Sequence, residues 1–138
     1  MKKLLYFAIP LLLIFAGTKF YKSRSFSNNG LSQTENCNLS ATEFKKADKG
    51  GAIIVDVRTQ REYEYGHLEN AIVLDIYEKD FKEKVGKLDK GKKYFVYCKT
   101  GIRSRNAANY MRQSGFSNIC ELEGGINYLS RAGVELVK

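Results

Sequence analysis

Metal-ligating residues are scarce in this chain of 138 residues, which has three cysteines and a single histidine. Cys37, Cys98, Cys120 and His67 stand far apart, and none of them forms the C-x-x-C or H-x-x-x-H spacing that holds a metal ion. The sequence therefore argues against a metal site, and the cysteines call for another explanation.

Acidic residues are absent from the first thirty positions, which carry five basic ones. Taking these five from the 23 basic residues leaves 18 against 15 acidic ones, so most of the formal charge of +8 belongs to the N-terminus. A remaining balance of about +3 is too mild for a nucleic-acid surface, and we expect no nucleic-acid partner. The length suits one ordinary domain and a short extra segment.

The N-terminus has the pattern of an export segment. Lys2 and Lys3 precede an uncharged apolar run from Leu4 to Gly17, and more basic residues follow. The run is shorter than the roughly 20 residues of a bilayer span, and its small-x-small cleavage pattern is poor. Residues 1–22 are therefore predicted to be a signal peptide or an N-terminal membrane anchor; a buried core helix is the other interpretation. We expect a periplasmic or other extracytoplasmic protein, either free or attached through residues 4–21.

Residues 23–36 are rich in small polar residues and are predicted to be a linker, so the folded domain is expected to span residues 37–138. Within it, short apolar strands alternate with helices whose starts are marked by capping residues. This alternation predicts an α/β fold with a mainly parallel five-stranded sheet, flanked by helices on both faces. The predicted strands include Leu39, Ala52 to Val57, Ala71 to Ile76, Tyr94 to Tyr97 and Asn118 to Leu122.

One strand runs directly into a cysteine. Tyr94 to Tyr97 contains no polar group beyond its tyrosine hydroxyls, which is typical of a strand buried on both faces, and Cys98 follows at its C-terminal end. Ligands of open α/β sheets bind at this edge, where loop amides and the start of a helix, predicted over Ser104 to Gln113, favour an anion or a thiolate. We predict that Cys98 is a nucleophile, although a buried filler cysteine is the plainer alternative. The predicted binding loop consists of Lys99, Thr100, Gly101, Ile102, Arg103 and Ser104.

The order of motifs resembles the rhodanese family, also called the sulfurtransferase domain. The resemblance covers residues 37–138. The sequence departs from the family pattern at two places. Glu69 and Asn70 stand where the family usually has Pro-Gly, and Leu129 stands where it often has tryptophan. The matching pieces are VDVR at 55–58, Glu62 with Tyr63, GHLENA at 66–71, CKTGIRS at 98–104, Gly115 with Phe116, and LEGG at 122–125.

The resemblance implies a sulfurtransferase. Cys98 would take sulfane sulfur, which is sulfur bonded to another sulfur, from a small anionic donor such as thiosulfate or a persulfide. It would then pass that atom to cyanide or a thiol. No cofactor is expected, because the cysteine itself carries the transferred atom, and we expect a monomer.

Several polar residues outside the loop have two interpretations. Asp56, Arg58 and Glu62 could be catalytic, but a charge network that supports the strand end and the following helix is favoured. His67 could be a general base, but its place in the family's Gly-His turn favours a structural role.

In rhodanese-like sheets the strands that carry Cys37 and Cys120 are neighbours. A disulfide between them would suit an oxidising compartment and would leave Cys98 as the free thiol. The alternative is that both are apolar fillers, since one residue of register change would turn them to opposite faces.

Two other classes of function are compatible with the sequence. A cysteine-dependent phosphatase or arsenate reductase also uses a thiolate and an arginine, but that pattern has five intervening residues, whereas four separate Cys98 from Arg103. A non-catalytic module that binds a partner through the rhodanese scaffold is the second alternative, and the retained cysteine argues against it.

Overall fold

A computed structural model describes residues 37–138 of the chain. The predicted export segment and linker lie outside the described residues. Within residues 37–138, no helix is both long and apolar enough to cross a membrane.

Five strands form one sheet in the order β1-β5-β4-β2-β3, and every neighbouring pair is parallel. The predicted five-stranded α/β fold is thereby confirmed, with a sheet that is wholly rather than mainly parallel. The strands are β1 Cys37–Leu39, β2 Ile53–Asp56, β3 Ala71–Val73, β4 Tyr94–Tyr97 and β5 Ile119–Leu122. The helices are α1 Ala41–Lys46, α2 Gln60–Tyr65, α3 Phe81–Gly86, α4 Ile102–Gln113 and α5 Gly125–Arg131.

Strand β4 lies at the centre of the sheet and is buried on both faces. Tyr94 and Val96 pack with α3 and α4, whereas Phe95 and Tyr97 pack on the other face with α1 and α5. This alternation follows from the period of two of a β-strand. Because both faces are packed, the strand sequence is apolar at every position.

Two helix starts use the capping box that the sequence contains. Ser40 and Glu43 exchange side-chain and backbone hydrogen bonds at the start of α1, and Thr59 and Glu62 do the same at the start of α2. Helix α4 begins at Ile102, two residues before the predicted start, because Gly101 adopts a left-handed φ of 102° and serves as its N-cap.

Cys37 and Cys120 are direct partners in the parallel register of β1 and β5. Their Cα atoms lie 4.4 Å apart, and a disulfide joins them. The register places both side chains on the same face of the sheet, so the alternative of two separate apolar fillers does not hold. Among the described residues Cys98 is the one free cysteine.

Candidate active site

Cys98 lies at the C-terminal end of β4, where the chain turns toward α4. Its flanking strands in the sheet are β2 and β5. The residue is 1% exposed, and α5 closes one side of the turn through two backbone hydrogen bonds. A central strand thus delivers the thiol to the edge at which parallel sheets bind ligands.

Hydrogen-bond donors surround the Cys98 sulfur. The Gly101 amide donates to Sγ over 3.1 Å, and the Ser104 hydroxyl lies 3.5 Å from it. Burial, the largest single contribution, raises the pKa of Cys98, but the Ser104 hydroxyl and the amides of Ser104, Gly101 and Thr100 together outweigh it. The pKa of the thiol therefore lies below its ordinary value, and the loop favours a thiolate.

The back of the loop is held by the start of α5. The Ile126 amide donates to the Cys98 carbonyl over 2.8 Å, and the Asn127 amide donates to the Lys99 carbonyl over 3.2 Å. A Cβ atom at Gly125 would lie 2.5 Å from the Cys98 carbonyl oxygen, so only glycine permits this approach. This contact was not predicted from the sequence. The LEGG motif was the available signal, because paired glycines often mark a close backbone approach.

Arg103 is held by Glu62. Two of its nitrogens donate to the two carboxylate oxygens over 2.7 and 2.8 Å. The hydrogen bonds from Arg103 lower the pKa of Glu62 to about 2, although partial burial opposes the shift. The same pair raises the pKa of Arg103. The fork of Arg103 is thus occupied by this carboxylate, while its charge also interacts with Cys98.

The predicted network of Asp56, Arg58 and Glu62 is two separate ion pairs in the structure. Arg58 binds the carboxylate of Asp56 with distances down to 2.6 Å, and it also donates to the Gly66 carbonyl over 2.8 Å. Both members of this pair are nearly inaccessible to solvent. The Asp56 and Arg58 pair fastens the end of β2 to the turn after α2, whereas Glu62 reaches the active-site loop.

His67 has structural contacts. Its ring stacks on Tyr63 with centroids 3.6 Å apart, and Nδ1 lies 3.0 Å from the Tyr63 carbonyl oxygen. Its backbone pairs with Val137. None of its recorded contacts involves the Cys98 loop, in keeping with the structural interpretation.

The outer rim of the loop is exposed. Lys99 and Thr100 face solvent, and the Ile102 side chain is 70% exposed. Tyr77 was not predicted to lie here. It is 71% exposed, and its ring centroid lies 5.7 Å from the Cζ atom of Arg103. The sulfur is therefore buried beneath a rim that a substrate can reach.

No group of three or more histidine, cysteine, aspartate or glutamate side chains could hold a metal ion within residues 37–138. Glu62 and Asp56 are each engaged in an ion pair with an arginine.

The parallel sheet and the cysteine loop after its central strand define an α/β domain with a buried thiol whose pKa is lowered. The family model of the rhodanese-like domain matches residues 40–132. The chain belongs to the rhodanese-like domain family, as its motifs predicted.

Curated relatives share this domain within longer chains. A tRNA uridine(34) hydroxylase of Cytophaga hutchinsonii is 37% identical over 92 residues, which are 64% of this chain and 30% of that protein. The enzyme of the same name from Sodalis glossinidius is 41% identical over 93 residues, 62% of this chain and 26% of the relative. The chain thus spans less than a third of the length of these relatives.

Solved structures of similar size share the fold. A rhodanese-related protein from Thermoplasma volcanium has a TM-score of 0.66 and 30% identity, over 73% of this chain and 97% of its own. A protein from Helicobacter pylori has a TM-score of 0.59 and 30% identity, over 72% of this chain and 87% of its own. The matched part makes up most of the length of each of these structures.

Proposed function

We propose that the protein is a sulfurtransferase that carries sulfane sulfur on Cys98. The observation that supports this most is the Cys98 sulfur itself, which accepts a 3.1 Å hydrogen bond from the Gly101 amide and has a lowered pKa despite its burial. A lowered pKa increases the thiolate fraction of a cysteine, and the thiolate is the nucleophile.

The reaction proceeds in two displacements. The Cys98 thiolate attacks the outer sulfur of thiosulfate, and a bond forms between the two sulfurs while the S–S bond of thiosulfate breaks and sulfite leaves with the electron pair. The enzyme then holds a persulfide anion. Cyanide or another thiolate attacks the outer sulfur of the persulfide, and thiocyanate or a new persulfide leaves while the Cys98 thiolate is restored. Charge balances in each step, and no oxidant or reductant is consumed.

A phosphatase or arsenate reductase activity is less well supported. Such a reaction needs an arginine fork to bind a tetrahedral oxyanion, but both terminal nitrogens of Arg103 donate to Glu62. The loop also argues against these activities, because only four residues separate Cys98 from Arg103, whereas the phosphatase pattern has five.

Hydroxylation of a tRNA uridine is the activity that the names of the curated relatives carry. We do not transfer it, since more than two thirds of each relative lies outside the matched length. The mild charge of the folded part favours small substrates over tRNA.

We also propose an extracytoplasmic location for the protein. The basic and apolar pattern of residues 1–22 supports it. The Cys37 and Cys120 disulfide supports it further, because such bonds persist in oxidising compartments.

The test is turnover of thiosulfate and cyanide to thiocyanate by the purified chain. The wild type should form thiocyanate, Cys98→Ser should form none, and the double variant Cys37→Ala with Cys120→Ala should remain active as the matched control. Undiminished turnover in Cys98→Ser would refute the proposal. Hydrolysis of an aryl phosphate without thiocyanate formation would establish the phosphatase alternative instead.

A further inference from the structure

Beside the Cys98 loop lies a second feature, a cavity of about 380 Å³ between α2, α5 and the C-terminal segment. Two of its lining residues, Ile126 and Asn127, are the ones whose amides bond to the Cys98 and Lys99 carbonyls. A third, Glu62, is the partner of Arg103. The cavity therefore adjoins the active-site loop and shares its supporting residues.

Most charges in the wall of the cavity are neutralised within the protein. Arg58 is paired with Asp56, and Glu62 is paired with Arg103. Arg131 is the exception: no carboxylate of residues 37–138 forms an ion pair with it. The cavity thus has one uncompensated positive charge.

The rest of the lining adds polar and apolar groups. Asn127 and Ser130 also line the cavity, and their side chains can form hydrogen bonds with a ligand. Tyr65, 72% exposed, and Leu136, 38% exposed, provide apolar surface. One cation, two neutral polar side chains and an apolar wall match a small molecule with an aliphatic stem and a carboxylate.

We propose that this cavity binds the carboxylate of a low-molecular-weight thiol or of its persulfide, with Arg131 as the residue that determines specificity. The cavity adjoins the Cys98 loop through Ile126 and Asn127, so a molecule whose carboxylate lies beside Arg131 would direct its thiol end toward that loop. This inference rests on the proposed sulfur transfer and adds the chemical class of the second substrate. Cyanide has neither an aliphatic chain nor a carboxylate, so we expect it to react without binding in the cavity.

The experiment compares two acceptor thiols of similar size, 3-mercaptopropionate and the neutral 2-mercaptoethanol, with rates corrected for the thiolate fraction of each. The full chain is loaded with thiosulfate, and kcat/KM is measured for each thiol and for cyanide. Arg131→Gln should lower the ratio of carboxylate to neutral acceptor about tenfold, the scale of one charge-assisted hydrogen bond, and should leave cyanide turnover unchanged. Arg131→Lys should retain part of the preference.

Lys46→Gln is the matched control, because Lys46 is an exposed cation on α1 outside the cavity and should leave the ratio unchanged. A separate arm loads Cys98 with the persulfide of 3-mercaptopropionate, which distinguishes a role for the cavity in donor binding from one in acceptor binding. If cyanide receives sulfur but Arg131→Gln leaves both arms unchanged, the inference is wrong and the proposed function stands. If no acceptor receives sulfur, cyanide included, the proposed function itself fails and the inference fails with it.

Discussion

Cysteine occurs at two places in the sheet, and the surroundings of the sulfur differ between them. Cys37 and Cys120 face each other across β1 and β5 and are bonded, with apolar residues such as Leu122 in the same cluster. Cys98 lies past the end of β4, where the Gly101 amide and the Ser104 hydroxyl approach its sulfur. The difference shows that position along the strand decides the chemistry: inside the ladder a thiol meets side chains, whereas beyond its C-terminal end it meets backbone donors.

The disulfide between Cys37 and Cys120 should stabilise the fold without affecting the rate of sulfur transfer. Its cysteines are separated by 83 positions, so replacing both by alanine should lower the free energy of unfolding by about 2 to 4 kcal/mol. Urea denaturation of oxidised wild type and of the double variant measures the loss. Thiocyanate turnover should stay within about twofold. A loss of turnover in a variant that is still folded would show that the two cysteine sites are coupled, contrary to the comparison.

Arg103 offers a way to alter the Cys98 site without touching its sulfur. Arg103→Ala should slow turnover on the order of 10²-fold, because it removes a cation that interacts with Cys98 and leaves the Glu62 carboxylate without its partner. The double variant Arg103→Ala with Glu62→Gln removes that negative charge too, and should recover part of the rate. If the double variant is as slow as the single one, Arg103 acts directly on the donor rather than through the pair.

Ser104 should have a smaller effect on the thiol. Its one hydroxyl proton is shared between the Cys98 sulfur and the Gly101 carbonyl, at 3.5 and 3.1 Å. Ser104→Ala should therefore raise the pKa of Cys98, and alkylation at neutral pH should slow by about threefold to tenfold. The measurement is the rate of iodoacetamide alkylation against pH, with Ser114→Ala at the C-cap of the same helix as control. An unchanged profile would mean that the amides alone stabilise the thiolate.

The smallest effect concerns acid stability. The pKa of Glu62 is lowered to about 2 in the folded protein, against an ordinary value of about 4.3. Its contribution to stability is therefore complete above the ordinary value and is lost as the pH falls from about 4.3 toward about 2. Urea midpoints across that interval should fall less steeply in Glu62→Gln than in wild type. Equal slopes would show that the pair with Arg103 adds nothing to folding.

The sequence predicted the parts of this molecule whose partners are close in the chain. The apolar run of β4, the capping boxes and the loop from Cys98 to Ser104 involve residues within six positions of one another, and local patterns describe them well. The family resemblance added the sheet and its neighbouring strands. Helix α4 starts earlier than predicted because Gly101 caps it in a left-handed conformation, which a sequence pattern does not distinguish from an ordinary turn.

Contacts between distant residues could not be predicted in the same way. Arg103 and Glu62 are 41 positions apart, and only the packing of α2 beside the loop brings them together. The sequence allowed either a disulfide or two separate side chains at Cys37 and Cys120. The choice depends on the register of β1 against β5, which is a contact between distant residues. Tyr77 and the approach of Gly125 to the Cys98 carbonyl also arise from the tertiary fold.

The most direct measurement is peptide mass spectrometry of the oxidised full chain after incubation with thiosulfate, followed by alkylation without reduction. The account predicts the added mass of one sulfur atom on the peptide that contains Cys98, its removal by cyanide, and a bonded Cys37 and Cys120 pair that gains nothing. Sulfur on Cys37 or Cys120, or no sulfur on Cys98 with any sulfane donor tried, would contradict it.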